Sequence, residues 1–263
     1  MVAPQDVRRV PLSAVLITLN AASQLDACLA SLAFADEILV VDSGSTDATV
    51  EIAQRHGARV LQQAWLGFGA QKQFAVQSAA HDWVLCLDAD ERVTPELGGS
   101  IVKTLVHQRS PANTAWRMAR ANVFMGRVLR HGEGYPDWSL RLFHRAHARW
   151  SEDSVHEKVV AIAAPAKLKG DLLHDSAESM DKYLEKQNRY TSLQAAQLLA
   201  TGKRAGVTRL LLSPFLRFLK FYFLRLGFLD GLPGLIHVSL GCMNSFNKYA
   251  KLMALVNQGR QRP

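Results

Sequence analysis

The chain has 263 residues, 48% of them hydrophobic and 21% charged, with a formal net charge of +8. That is ordinary globular composition, enough for one large domain with an appendage, and it excludes a repeat array or a low-complexity chain. A basic balance suits nucleic acid, anionic lipid or phosphorylated small molecules. The three cysteines, Cys28, Cys86 and Cys242, lie far apart among apolar neighbours, so they read as buried free thiols in a reducing compartment rather than as a zinc site. Met1–Val10 carries no apolar run of the secretory kind. No uninterrupted apolar stretch reaches the roughly 18 residues of a spanning helix.

The first hundred residues alternate strand and helix. Leu12–Leu19 is an apolar run of strand length, and Ser23-x-x-Asp26 resembles a capping box before a helix striped by Leu25, Cys28, Leu29 and Leu32. Glu37–Val41 is a second strand ending at Asp42. A helix carrying Val50 and Ala53 follows and stops at Gly57. Arg59–Leu61 is a third strand, Ala70–Ala80 a helix and Trp83–Leu87 a fourth strand. This alternation predicts a mostly parallel sheet with helices on both faces, where ligands bind beyond the carboxyl ends of the strands. Thr18, Asn20, Asp42, Asp88 and Asp90 all follow strands, so they are expected on one sheet edge. Residues 94–175 read as less regular, rich in Arg, His, Trp and Gly. Glu178–Ala200 is a long helix. From about Val207 the chain turns leucine-rich and aromatic, with Ser213-Pro214 as an N-cap and first helical residue.

Asp88 and Asp90 form an Asp-x-Asp at a strand end. Two carboxylates that close repel unless a cation or ligand hydroxyls lie between them, and Mg²⁺ or Mn²⁺ suits such oxygen donors; the plain alternative is a solvated turn. Asp42 precedes the turn Ser43–Asp47 and is placed to accept a hydrogen bond from a base or ribose. Lys72, early in its helix, is a candidate neighbour for a diphosphate or base, or else a solvated surface lysine.

Thr18-Leu19-Asn20, Val40–Asp47, Gly67–Lys72 and Trp83–Glu91 together resemble family 2 inverting glycosyltransferases of the GT-A fold. His131-Gly132, Tyr135-Pro136-Asp137, Arg141–Phe143, Val155-His156-Glu157 and Gly227–Gly231 extend the resemblance to bacterial lipopolysaccharide core glycosyltransferases of the WaaE/KdtX type. The resemblance implies that Thr18, Asn20 and Asp42 hold a nucleoside, with uridine expected. It implies that Asp88 contacts ribose and metal, and that Asp90 binds the metal. Asp42-Ser43 stands where many members carry two acids, leaving the base contact on Asp42.

An inverting transfer needs one general base. Asp137, Glu152, Asp153 and Glu157 are candidates; Glu157 and Asp153 are favoured, with His156 placed to tune the base or approach the metal. His131, Arg141, His144 and Arg145 are candidates for a phosphorylated acceptor. In the C-terminal part Phe215, Leu219, Tyr222 and Leu226 stripe one helix face, with Arg217, Lys220 and Arg225 on the other, a pattern suited to an anionic membrane surface rather than to nucleic acid.

The expectation is therefore a GT-A catalytic domain over 1–175, with a nucleotide-sugar half over about 10–100 and an acceptor half over 101–175. A helical, membrane-associating region follows over 176–263. The enzyme would be peripheral on the cytoplasmic face of the inner membrane. It would move a hexose, glucose by expectation, from a UDP-sugar to a lipid-linked saccharide, the lipopolysaccharide inner core. Transfer to a polyprenyl phosphate and a non-catalytic membrane-bound sugar-nucleotide sensor are the alternatives.

Overall fold

The computed structural model describes residues 9–106, 113–151, 157–175 and 179–261. The chain divides into two compact units, one from Met1–Arg120 with Pro136–His174, the other from Ala121–Tyr135 with Asp175–Pro263. The sequence reading drew a single boundary at 175. The second unit instead takes in an internal stretch as well.

In the first unit β1 (Leu12–Thr18) lies between β2 (Glu37–Asp42) and β4 (Trp83–Asp88), parallel to both, and β3 (Arg59–Gln62) extends the parallel set beyond β2. Beyond β4 the sheet turns antiparallel through β8 (Asp137–His144) and β6 (Ala115–Phe124), then passes to β11 (Ala166–His174) and β5 (Glu91–Val93). A separate hairpin pairs β9 (Ala148–Trp150) with β10 (Val159–Ala161). Among its described residues the stretch 94–175 that reads as irregular holds a helix, Pro95–Val106, and six strands. Several of those strands have partners remote in sequence, which local pattern does not reveal.

Side-chain alternation builds the two faces. Leu12, Ala14, Leu16, Val40, Leu85 and Leu87 pack with α1 (Ala22–Ala30), α2 (Thr49–Arg55) and α4 (Pro95–Val106), through Leu25, Leu29, Ile52, Leu97 and Ile101. Val15, Leu39, Val41, Val84 and Cys86 face the other way, onto Ala75, Val76 and Ala79 of α3 (Phe68–Ser78) and its end, with Phe143 and Trp150. The expected capping box does not form: the N-cap of α1 is Ala21, whose N–H donates to Thr49 Oγ1, while Asp47 accepts from Ala22 N. Tertiary donors and acceptors replace the local ones. All three cysteines are free thiols, Cys28 and Cys86 buried and Cys242 half-buried.

The second unit holds α5 (Met180–Ala200), α6 (Val207–Phe218) and α7 (Gly231–Gln261), with β7 (Arg127–Val128) paired to the end of β6. Phe124, Leu129 and Tyr183 form its buried centre, with Ile236 and Leu240 against them. Ser179 caps α5 by accepting from Lys182 N. Lys251 pins α7 to α5, its Nζ lying 2.6 to 2.9 Å from four oxygens of Asn188, Thr191 and Ser192. Pro214 lies inside α6 rather than at its start, and Ser213 bonds the Ser245 hydroxyl instead of capping. After α6 the chain makes a π-helical turn, Leu219–Leu224, and a 3₁₀ turn, Gly227–Asp230. Leu226, at φ 56°, makes the corner between them. A Cβ on Gly234 would lie 2.4 Å from the Gly227 carbonyl oxygen, so only glycine lets α7 start that close to the corner.

Candidate active site

The register of the parallel strands fixes one polar edge: Thr18 pairs with Asp42, and Ile17 with Asp88. At the β1–β2 corner Thr18 Oγ1 donates to Asp42 Oδ1 (3.0 Å), as does the Ser45 hydroxyl, while Gly44 N and Ser45 N donate to Oδ2 at 2.9 and 2.8 Å. Asn20, at φ 51°, accepts from Thr46 N at 2.8 Å and donates its own N–H to Ser45 Oγ. Asp42 is fully buried. Burial pushes its carboxyl up, but the Ser45, Thr18 and Gly44 donors outweigh that and hold it below the ordinary range. Both its oxygens accept hydrogen bonds within the turn, and Asn20 is exposed at the rim of that turn.

Asp88 sits between two cations. Its Oδ1 is 2.8 Å from Lys72 Nζ, and its Oδ2 accepts from Arg141 Nη2 at 2.8 Å. Arg141 also reaches Glu91 Oε1 at 2.7 Å, and Arg120 lies 3.6 Å from the same oxygen. Burial would raise the Asp88 carboxyl, yet Arg141 and Lys72 hold it well below the usual range. Fully buried Glu91 is pushed up by burial beyond what Arg141 offsets. The Arg141 guanidinium is raised: burial opposes its charge, and Glu91 and Asp88 outweigh burial. Lys72, read from sequence as next to a diphosphate or free in solvent, is buried. Besides Asp88, its Nζ touches Glu157 Oε1 at 3.3 Å and stands 4.7 Å from the Trp150 ring centroid.

Glu157 reaches this point because the β9–β10 hairpin lies against α3. Trp150 N donates to Gln73 Oε1 at 2.9 Å, and a Cβ on Gly69 would come 2.4 Å from Ser151 O. Asp137, another candidate base, is held by Arg120 at 2.7 Å. Glu152, Asp153 and His156 lie outside the described residues.

Asp90 has a different neighbour. Its Oδ2 is 3.4 Å from His174 Nε2 at the end of β11, and its Oδ1 is buried with no hydrogen-bond partner. A buried carboxylate oxygen left unpaired carries a desolvation cost that a cation would remove. The residues fit a divalent cation on this side, held by Asp90 and His174, whereas Asp88 already has two cationic side chains. Among the described residues no group of three or more His, Cys, Asp or Glu side chains is gathered for a metal, so water and substrate phosphates would complete the shell. His174 was missed from sequence. Its only sign there is a histidine ending the apolar run Leu172-Leu173, and β11 reaches the site by pairing with β5.

Of the set read as acceptor-phosphate ligands, the three members in the first unit do not gather at one place. Arg141 lies at Asp88, but His144 pairs with Trp83 at the start of β4, and Arg145 binds Asp82 there, at the opposite edge of the sheet. His131 belongs to the second unit, its Nδ1 3.0 Å from Asp230 Oδ1.

Of the residues read as membrane-contacting, Phe215, Leu219, Leu226, Lys220 and Arg225 are exposed. Tyr222 is half-buried, stacked on Phe218 at 4.9 Å. Arg217 is also withdrawn, paired with Glu133 and lying over the Phe221 ring. Arg217 faces α7, where a Cβ on Gly241 would lie 3.1 Å from its Nε, and Tyr222 packs among Phe218, Phe223 and Phe228.

Residues 13–164 match the model of "Glycosyl transferase family 2". The lipopolysaccharide core biosynthesis glycosyltransferase LpsC of Rhizobium meliloti is 32% identical over 253 residues, covering 94% of this chain and 93% of that protein. An uncharacterized glycosyltransferase of Rickettsia typhi is 30% identical over 259 residues, covering 95% and 89%. Glucosyl-3-phosphoglycerate synthase from Mycobacterium tuberculosis, solved with Mn²⁺, UDP-glucose and phosphoglyceric acid, overlaps at TM-score 0.37 and 25% identity. It covers 43% of this chain and 44% of that one, too partial a likeness to bear on ligands. The parallel strands carrying the polar edge, the family match over more than half the chain and the near full-length relatives agree: this chain is a glycosyltransferase of family 2, with the GT-A fold.

Proposed function

We propose that the protein transfers a hexose, glucose by preference, from a UDP-sugar to the inner core of a lipid-linked saccharide, with inversion, peripherally on the cytoplasmic face of the inner membrane. The observation that carries the reading is the meeting of Asp88, Lys72 and Glu157. One ammonium lies 2.8 Å from the strand-end carboxylate and 3.3 Å from a carboxylate 85 residues further on. Such a contact joins a donor-binding edge to a candidate base. The name of the Rhizobium meliloti relative supports the acceptor class.

In this reading the nucleoside lies at the Thr18–Asp42 corner, with Asp42 acting through the turn it holds. Lys72 and Arg141 supply positive charge beside the diphosphate while fixing Asp88 toward the ribose. A divalent cation, Mg²⁺ or Mn²⁺, held by Asp90 and His174 would offset the charge on the departing diphosphate. Glu157 accepts the proton of the acceptor hydroxyl as that oxygen bonds to the anomeric carbon. The bond from that carbon to the diphosphate oxygen breaks on the opposite face, so one displacement inverts the centre.

The test is a donor screen with Mn²⁺ present, measuring free nucleotide released with and without a lipopolysaccharide-core acceptor. Transfer from a UDP-hexose, lost by roughly 100- to 10,000-fold in Glu157→Gln with donor binding kept, is expected. A chain that binds no nucleoside diphosphate defeats the reading.

A further inference from the structure

The second unit distributes charge and apolar surface in a way the catalytic reading does not use. Residues 201–263 contain ten of the chain's 31 Lys and Arg but one of its 23 acids, Asp230, so this segment carries +9 and the rest of the chain −1. Asp230 is buried and spends its carboxylate on Arg130 N, His131 N and the His131 ring. Outward, the described part of the segment offers cations, apolar side chains and a few uncharged polar groups such as Thr208, with no acidic side chain exposed.

The apolar side chains are ordered. On α6 Leu211, Phe215 and Leu216 stand exposed on one side, followed by Leu219 at the start of the π-helical turn, while Leu210, Ser213, Arg217 and Phe218 are withdrawn on the other. The row continues into the corner, where Phe223 and Leu226 are exposed and Leu224 is 80% exposed. Aqueous helices do not keep such a row uncovered. Around the corner, Arg225 donates to the Tyr135 carbonyl at 3.2 Å and Arg130 to the Tyr135 hydroxyl at 3.4 Å, so two guanidiniums are held on one residue. The helices flanking the corner pass a length-and-composition test for a membrane span only as a bent pair. Among the described residues no single helix is long and apolar enough to cross a membrane, and the helices on either side of the corner meet at 73°.

We propose that the outer row of α6 and the corner at Phe223–Leu226 form a wedge that lies in the interface of an anionic phospholipid bilayer, with Arg130 and Arg225 taking headgroup phosphates. This rests on the peripheral-membrane reading above and says which residues enter the lipid. In-plane insertion suits an exposed apolar helix face ringed by cations. Gly227 and Gly234 let the backbone of the corner pack closely, since side chains there would strike the Phe221 and Gly227 carbonyls at 2.7 and 2.4 Å.

The test is co-sedimentation of the full chain with vesicles of phosphatidylcholine, with and without phosphatidylglycerol. Wild type is expected on the phosphatidylglycerol vesicles and released by alkaline carbonate. Phe215→Glu with Leu224→Glu should weaken binding about tenfold or more, and Arg130→Glu with Arg225→Glu should abolish the preference for the anionic lipid. Leu193→Glu, at an equally exposed leucine on α5, should bind as wild type; it controls for a general loss of surface apolarity. Circular dichroism confirms that each variant is folded, and donor turnover in solution should be unchanged in all of them. Wild type bound while the Phe215/Leu224 variant binds equally well overturns the wedge and leaves the peripheral reading standing. Retention after carbonate overturns it in favour of a buried segment, and wild type that binds neither vesicle sinks both.

Discussion

Asp88 and Asp90 are one residue apart and chemically unlike. Asp88 is neutralised by Lys72 and Arg141, whereas Asp90 offers a buried, unpartnered oxygen beside His174. Mn²⁺ titrated into the protein and followed by its paramagnetic resonance should bind about 100-fold more weakly in Asp90→Asn and His174→Ala. Asp88→Asn should change it much less. Arg141→Met leaves two carboxylates without their shared cation, and removing one partner of such a buried set costs about 3–5 kcal/mol, measurable by denaturant unfolding. Asp42 gives a pH signature. Its folded carboxyl lies below the unfolded value, so the stability it contributes is present above that value and lost as pH falls through the folded one. Asp42→Asn should therefore lower Tm at neutral pH and hardly at all in acid well below about pH 4. The acids at strand ends were readable from sequence because each closes an apolar run. Arg141 was picked out only as an acceptor-phosphate candidate and His174 not at all, because antiparallel strands bring them to these acids through pairings that no local spacing encodes.

At the scale of elements, the β-α alternation of residues 12–88 was legible because each strand and helix there carries its own periodicity. The helix starts were less so. The Ser23–Asp26 pattern was the right kind of signal, but the cap falls earlier, at Ala21, and the Ala21 and Ala22 N–H groups go to Thr49 at the start of α2 and to Asp47 just before it. Gly69 shows how an element carries chemistry. Its missing side chain lets the β9–β10 hairpin touch α3, and Glu157 meets Lys72 as a result. Gly69→Val should push Ser151 away, cost about 1–3 kcal/mol in stability and lower kcat for transfer while donor affinity stays near wild type. An effect on donor affinity alone would contradict this placement.

At the scale of the molecule, a cut at residue 175 does not separate the two units, because Ala121–Tyr135 belongs with the C-terminal helices. Phe124 and Leu129 are buried there against Tyr183, and the Arg130 and His131 N–H groups find their acceptor on Asp230. A fragment ending at 174 should expose two large apolar side chains, each worth about 1.5–3 kcal/mol of burial. It is expected to precipitate on expression or melt well below the full chain, and Phe124→Ser with Leu129→Ser should restore its solubility. That interleaving was illegible in the sequence because nothing in Ala121–Tyr135 marks it as different from the strands around it. It also sets a rule for exchange between relatives. The tail is no detachable cassette: a crossover that donates new C-terminal helices must import the matching fifteen-residue insert from the same parent, or the recombinant inherits a loop cut for a neighbour it no longer has.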